Sequence, residues 1–220
     1  MKFLLTSGGI TNQTIAKALE ELLAKPKAES VVAFIPTAAN VEEGDKNWLI
    51  TDLYNVNKLG YKYVDIVDIS AVSEDIWKRR LENADVLFFG GGNTFHLMYW
   101  LQRSGLANVL PDLLKTRIYA GISAGSMVTG NSISLSQSEK LYYEDLGKYT
   151  NETGLGFVEF SFRPHLNSPH FPNVNTTVLQ QHAKELLGPI YALDDQMALK
   201  IIDGKIEAIG EGEYLVFNIN

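Results

Sequence analysis

Five short β-rich runs, separated by amphipathic segments, limit most tightly what this chain can fold into. They are "KFLLT" (2–6), "VVAFIPT" (31–37), "YVDIVDI" (63–69), "DVLFFGGG" (85–92) and "RIYAGI" (117–122). Helical spacing fills the gaps: Thr14 to Ala24, Asp45 to Leu59, Glu74 to Glu82, His96 to Gln102, and about 106–115. In the second of these, Trp48, Leu49, Leu53, Val56 and Leu59 fall on one side. A continuously apolar strand needs cover on both faces. Such strands alternating with helices imply a mostly parallel sheet flanked by helices on both faces.

The order changes after residue 130. The region 131–163 reads as strand- and loop-rich, and a helix is expected over about 173–187. A short apolar strand then leads into Asp194 and Asp195. Three more strands follow: "MALKII" (197–202), "KIEAIG" (205–210) and "EYLVFN" (213–218). Asp203-Gly204 between the first two is a strong hairpin signal, so the sheet is expected to end in an antiparallel β-hairpin. No repeat, low-complexity tract or flexible linker interrupts the chain, and residues 1–220 are expected to form a single domain.

Charge and cysteine content narrow the function. A net charge of −7 argues against a nucleic-acid backbone as partner. With no cysteine there is no disulfide framework, thiolate metal site or thiol nucleophile. No apolar run reaches membrane length, and the apolar core of "MKFLLTSGG" is too short for a signal peptide. The expectation is a cytoplasmic protein, monomeric or homodimeric, acting on a small molecule without a metal or organic cofactor.

Ligands of such a sheet gather at the carboxyl ends of its parallel strands. The loops to inspect are therefore "TSGG", "IPTAAN", "FGGGNT" and "GISAGS". The last is a Gly-x-Ser-x-Gly at a strand-to-helix junction. A nucleophile elbow needs small neighbours because its backbone turns sharply, and Gly121 and Gly125 flank Ser123 as that turn requires. Ala124 would open the next helix, with its N–H facing the site as an oxyanion donor. The plain alternative is a glycine turn with a serine cap. Gly90 to Gly92 likewise end a strand and precede a cap at Asn93-Thr94. They lack the Lys of a P-loop and the spacing of a dinucleotide fingerprint, which leaves them able to bring a backbone N–H close to Ser123.

A serine nucleophile needs a base, and only four histidines exist. His182 lies in a helix expected to be solvent-facing. His96 follows the glycine loop, and His170 sits in the proline-bounded "NSPHFPN". His165 follows Pro164 at a strand end, where its side chain is held more firmly, and it ranks ahead of His170. Asp194 and Asp195 offer the orienting carboxylate, although adjacent acids can equally cap a turn.

Together these pieces resemble the aspartyl dipeptidase (peptidase E) and cyanophycinase family of serine peptidases. The likeness runs through "LLTSGG", "IPTA", "FFGGGNTFHL", "GISAGSMV", "RPHLN" and "LDDQMAL". It implies a class I glutamine amidotransferase-like fold, with serine in place of that fold's elbow cysteine. It also implies Ser123 as nucleophile, His165 as base and Asp195 as third member of a triad. Backbone donors would come from Gly91 or Gly92 and from Ala124, and the substrate would be a dipeptide or short peptide, with an N-terminal aspartyl residue favoured. Two positions depart from that pattern: Ser138 stands where some relatives have Asp, and Asp195 where Glu is common.

Two other readings compete. An α/β-hydrolase esterase would take the order Ser, acid, His and would need Asp145 with His165 or His182. A non-catalytic small-molecule binding protein could keep the elbow without the chemistry. Of the five arginines, Arg163 lies two residues before His165. On an extended strand the two would share a face, so its guanidinium is expected to grip a substrate carboxylate. The alternative for Arg163 is a surface ion pair.

Overall fold

In the computed structural model, which describes residues 1–144, 149–184 and 188–219, the alternation seen in the sequence becomes a seven-stranded sheet. The chain runs β1 (Lys2–Thr6), α1 (Gln13–Leu22), β2 (Val31–Ile35), α2 (Asn47–Asn57), β3 (Tyr63–Ile66) and α3 (Glu74–Glu82). Next come β4 (Val86–Phe89), α4 (Thr94–Arg103), α5 (Leu106–Leu113), β5 (Ile118–Ile122), α6 (Ala124–Met127) and α7 (Leu135–Tyr142). The last part holds β6 (Ser161–Arg163), α8 (Thr176–Ala183), β7 (Ile190–Leu193), β8 (Met197–Ile202), β9 (Lys205–Gly210) and β10 (Tyr214–Phe217). The strand order is β3-β2-β4-β5-β1-β8-β9. β3 through β1 are parallel, and β8 and β9 close the edge as the expected antiparallel hairpin.

Side-chain alternation divides the interior in two, as the two-residue strand period requires. Phe3, Leu5, Ala33, Ile35, Leu87, Phe89 and Tyr119 face one layer, covered by Trp77 of α3, Leu101 of α4 and Leu110 of α5. Leu4, Val32, Phe34, Phe88, Ala120 and Ile122 face the other, covered by Ile15 and Leu19 of α1 and Val56 of α2. Both faces are dry, which is why the strands read as unbroken apolar runs.

A second, three-stranded sheet, ordered β10-β7-β6, was not foreseen as a separate unit. Phe160, Phe162, Ala192 and Leu193 carry it into the first of the two cores. It places the end of β6, and hence His165, over the carboxyl edge of the main sheet.

The expectation that 131–163 is strand- and loop-rich did not include α7. Gln137, Glu139, Lys140 and Leu141 favour a helix, but eight residues are too few for one to stand alone, and burial of Leu141 and Tyr142 in the core anchors it. α8 begins at Thr176 rather than about 173; residues 185–187 of the expected helix, and Asp145, lie outside the described residues. No helix among the described residues is long and apolar enough to cross a membrane.

Candidate active site

Ser123 sits between β5 and α6 with φ 47° and ψ −106°. A non-glycine residue held there costs about 1–3 kcal/mol and persists only where its surroundings leave no alternative. Those surroundings are visible. The Ser123 N–H donates to Thr6 O at 3.1 Å, and its carbonyl accepts from the N–H groups of Ser126 and Met127, both at 2.9 Å. The turn is also packed too tightly for larger residues, since a Cβ on Gly125 would lie 2.2 Å from Phe89 O.

The strain aims the hydroxyl at a histidine. His165 Nε2 lies 2.8 Å from Ser123 Oγ, and His165 Nδ1 lies 2.6 Å from Asp195 Oδ1. The three residues come from three carboxyl-end segments: those after β5, β6 and β7. His165 itself has φ 65°, and its N–H donates to Ser7 Oγ at 2.7 Å. Its ring stacks on Phe171 with centroids 4.6 Å apart. Ser7 Oγ in turn donates to Asp195 Oδ1 at 3.0 Å. Burial pushes the Asp195 carboxyl up, but the hydrogen bond and charge of His165, then Ser7, outweigh it and hold the group below its usual value. Asp195 is therefore an anion across the neutral range, suited to accept a proton-bearing Nδ1 and leave Nε2 free to accept from the serine.

Gly91 stands opposite the nucleophile: a Cβ built on it would touch Ser123 Cβ at 3.6 Å. Gly92 has φ +124°, and a Cβ there would lie 2.4 Å from Ala38 O, so this loop admits only glycine at that position. The amides on either side are tied down, Gly90 N–H to Ile35 O and Asn93 N–H to Ala38 O. Among the described residues, the N–H groups of Gly91, Gly92 and Ala124 take no acceptor. Ala124 is the first residue of α6, where no intrahelical partner exists for an N–H. Gly91 and Ala124 thus border Ser123 on two sides.

The other candidates separate cleanly. Asp194 caps the β7–β8 turn, its two oxygens accepting from the N–H groups of Gln196 at 2.9 Å and Glu213 at 2.6 Å. His170 is exposed, and His96 Nδ1 lies 2.6 Å from Tyr149 Oη. His182 is buried on α8 rather than solvated. Arg163 does not face a cleft. Its guanidinium is 2% exposed and donates to Gln137 Oε1 at 2.6 Å and to Phe162 O at 3.1 Å. The expectation that it shares a face with His165 fails because β6 ends at Arg163. The left-handed backbone at His165 then breaks the two-residue alternation. Its buried pairing likewise excludes a surface ion pair.

Sequence reasoning passed over Ser7, Phe171 and two acids, the half-buried Asp52 and the buried Glu144. Ser7 lay within a loop already marked for inspection, "TSGG", but a serine bonding to another chain segment leaves no local signal. Asp52 on α2 lies beside Gly9, and burial together with the Asp195 charge pushes its carboxyl up to about 7. Glu144 lies against the start of α4.

Comparison with known proteins gives the chain's family and fold. The sequence pattern of peptidase family S51 matches residues 3–209. The chain is 29% identical over 184 residues to an uncharacterized peptidase of Listeria innocua, covering 80% of this chain and 87% of the relative. It is 28% identical over 200 residues to a peptidase E of Shewanella amazonensis, covering 83% of each. Among solved structures, a candidate peptidase E protein from Listeria monocytogenes EGD-e superposes with a TM-score of 0.79 at 26% identity, covering 96% of this chain and 98% of that one. A peptidase from an acI-B1 actinobacterium shares the fold at 17% identity, with a TM-score of 0.73 over 98% and 90% of the two chains. The parallel sheet, its flanking helices and its closing hairpin are thus the class I glutamine amidotransferase-like fold that the sequence motifs implied, and the chain belongs to peptidase family S51.

Proposed function

We propose that this protein is a cytoplasmic serine peptidase that hydrolyses dipeptides or short peptides. The observation that carries the reading is the unbroken chain from Ser123 Oγ through His165 to Asp195, at 2.8 and 2.6 Å, built on a strained serine. In this reading His165 Nε2 takes the Oγ proton as Ser123 attacks the scissile carbonyl. Asp195 holds Nδ1–H and stabilises the imidazolium. The carbonyl oxygen, now an oxyanion, is met by the N–H groups of Ala124 and of Gly91 or Gly92. His165 then passes its proton to the departing amine, leaving an ester on Ser123. A water molecule, deprotonated by His165, hydrolyses that ester and restores the serine.

The order Ser, His, acid along the chain disfavours the esterase reading, which needs its acid before the histidine. The buried Arg163 removes the one local feature that favoured an N-terminal aspartyl residue. The test is a dipeptide panel spanning α-Asp-X, β-Asp-X, neutral and basic N-termini, run with the wild type and Ser123→Ala. Hydrolysis of at least one class by the wild type, lost by several orders of magnitude in a folded Ser123→Ala protein, is expected. Equal turnover by both proteins would overturn the proposal. A folded wild type that binds dipeptides and cleaves none would favour the non-catalytic reading.

A further inference from the structure

We propose that Glu144 is a positioning residue for the backbone donors at Gly91 and Gly92. This rests on the reading of Ser123 as nucleophile. The Glu144 side chain is buried, and its Oε1 accepts the Thr94 N–H at 2.6 Å. Thr94 is the first residue of α4 and follows directly on the Gly90–Asn93 loop. That loop is held at its two ends. On one side Gly90 and Asn93 donate to Ile35 O and Ala38 O, and Gly92 is pressed against Ala38. On the other, the Asn93 side chain accepts from His96 N–H at 2.9 Å and Glu144 takes the Thr94 N–H. Glu144 is the only one of these acceptors that arrives on a side chain from outside the sheet and α4. It comes from the segment leaving α7, beside Tyr142, whose ring meets His165 edge-on at 6.4 Å.

The chemistry suits the place. A carboxyl at a helix N-terminus meets unsatisfied N–H groups and the positive end of the helix dipole. Burial pushes this carboxyl up to about 7, against the Thr94 hydroxyl and N–H and Ser138, which pull it down, while Glu42 adds to the rise. Among the described residues, Arg163 and Tyr142 also bear on this carboxyl. In either protonation state an oxygen can accept from Thr94, so the function required of the residue is acceptor geometry. Ser138 lies against the same carboxyl.

The test uses the intact protein and a fluorophosphonate probe that phosphonylates an activated serine. Rates are followed to saturation so that the limiting rate and the half-saturating concentration separate. Glu144→Ala is expected to lower the limiting rate about 10- to 100-fold, below the 10²–10³ that follows loss of a whole oxyanion donor. Half-saturation should change less than threefold. Glu144→Gln keeps the acceptor and should return the limiting rate to within about threefold of wild type. Thr94→Pro removes the N–H at a helix position that tolerates proline. It should reproduce the Glu144→Ala loss, and the double variant should add little. If Glu144→Ala unfolds, Thr94→Pro carries the test alone. A wild-type limiting rate in folded Glu144→Ala or Thr94→Pro would overturn the proposal, as would a Gln variant as slow as Ala. Absence of wild-type labelling at Ser123 would instead remove the nucleophile reading on which it stands.

Discussion

Replacing Asp52 by Asn should stabilise the protein, and the gain should grow with pH. The Asp52 carboxyl is half-buried on α2, close to Gly9, and burial followed by the Asp195 charge pushes it from 3.8 up to about 7. A carboxyl raised in the folded state holds its proton there while the unfolded chain has released it. Between pH 4 and 7 the folded form therefore binds more protons, and stability falls as pH rises through that window. A shift of about 3 units, at about 1.4 kcal/mol each, sets an upper bound of about 4 kcal/mol above pH 7. Partial exposure lets water screen the charge, and about half that value, roughly 2 kcal/mol, is the expected penalty. Asn is close in shape and never ionises. Urea unfolding of both proteins at pH 5 and 8.5 measures the difference. The advantage of Asn should be at least about 1 kcal/mol larger at pH 8.5, or a few degrees in Tm for a chain of 220 residues. An advantage equal at the two pH values, or a loss at pH 8.5, would refute the argument.

Three further outcomes follow from named contacts. Ser7→Ala should cut kcat/KM about tenfold and move its acid limb upward, because Asp195 loses a donor, while the stranded His165 N–H costs about 1–3 kcal/mol of stability. A pH–rate profile and a denaturant curve read both effects. Asp195→Asn should lose about 10³–10⁴ in kcat with little change in stability, whereas Asp194→Ala should keep activity and lose about 1.5–3 kcal/mol with its turn cap; the reverse ranking would exchange their roles. Arg163→Ala should destabilise by about 3 kcal/mol through the orphaned Gln137 and Phe162 carbonyl, leaving the KM ratio of acidic to neutral dipeptides unchanged; a rise in KM confined to acidic dipeptides would restore the substrate-gripping role.

The main sheet was legible because its strands are apolar on both faces and their period is local. Leu4 and Leu5, or Phe88 and Phe89, point into different cores, and burying both needs a sheet covered on its two faces. The hairpin was legible through Asp203-Gly204 alone. α7 was hidden because its eight residues are too few to show a helical period, and burial of its last turn anchors it. The elbow glycines were readable as steric needs, and Pro164 marked the strand end that fixes His165. The split between Asp194 and Asp195 was less accessible, since which acid caps the turn depends on Glu213, nineteen residues on. Arg163 was misread for a definite reason. Strand alternation was extended two residues past the end of β6, across a proline and a left-handed histidine. Ser7, Asp52 and Glu144 act through contacts distant in sequence, and such residues carry no pattern of their own.

The central claim is that Ser123 is the residue activated by His165 and Asp195. Mass mapping after treatment of the folded protein with a fluorophosphonate tests it most directly. One adduct per chain is expected, on the peptide carrying Ser123, with labelling lost in Ser123→Ala and slowed by orders of magnitude in His165→Ala. An adduct on any other residue, or a folded wild type that gains no mass while a known serine hydrolase in the same tube is labelled, would contradict it.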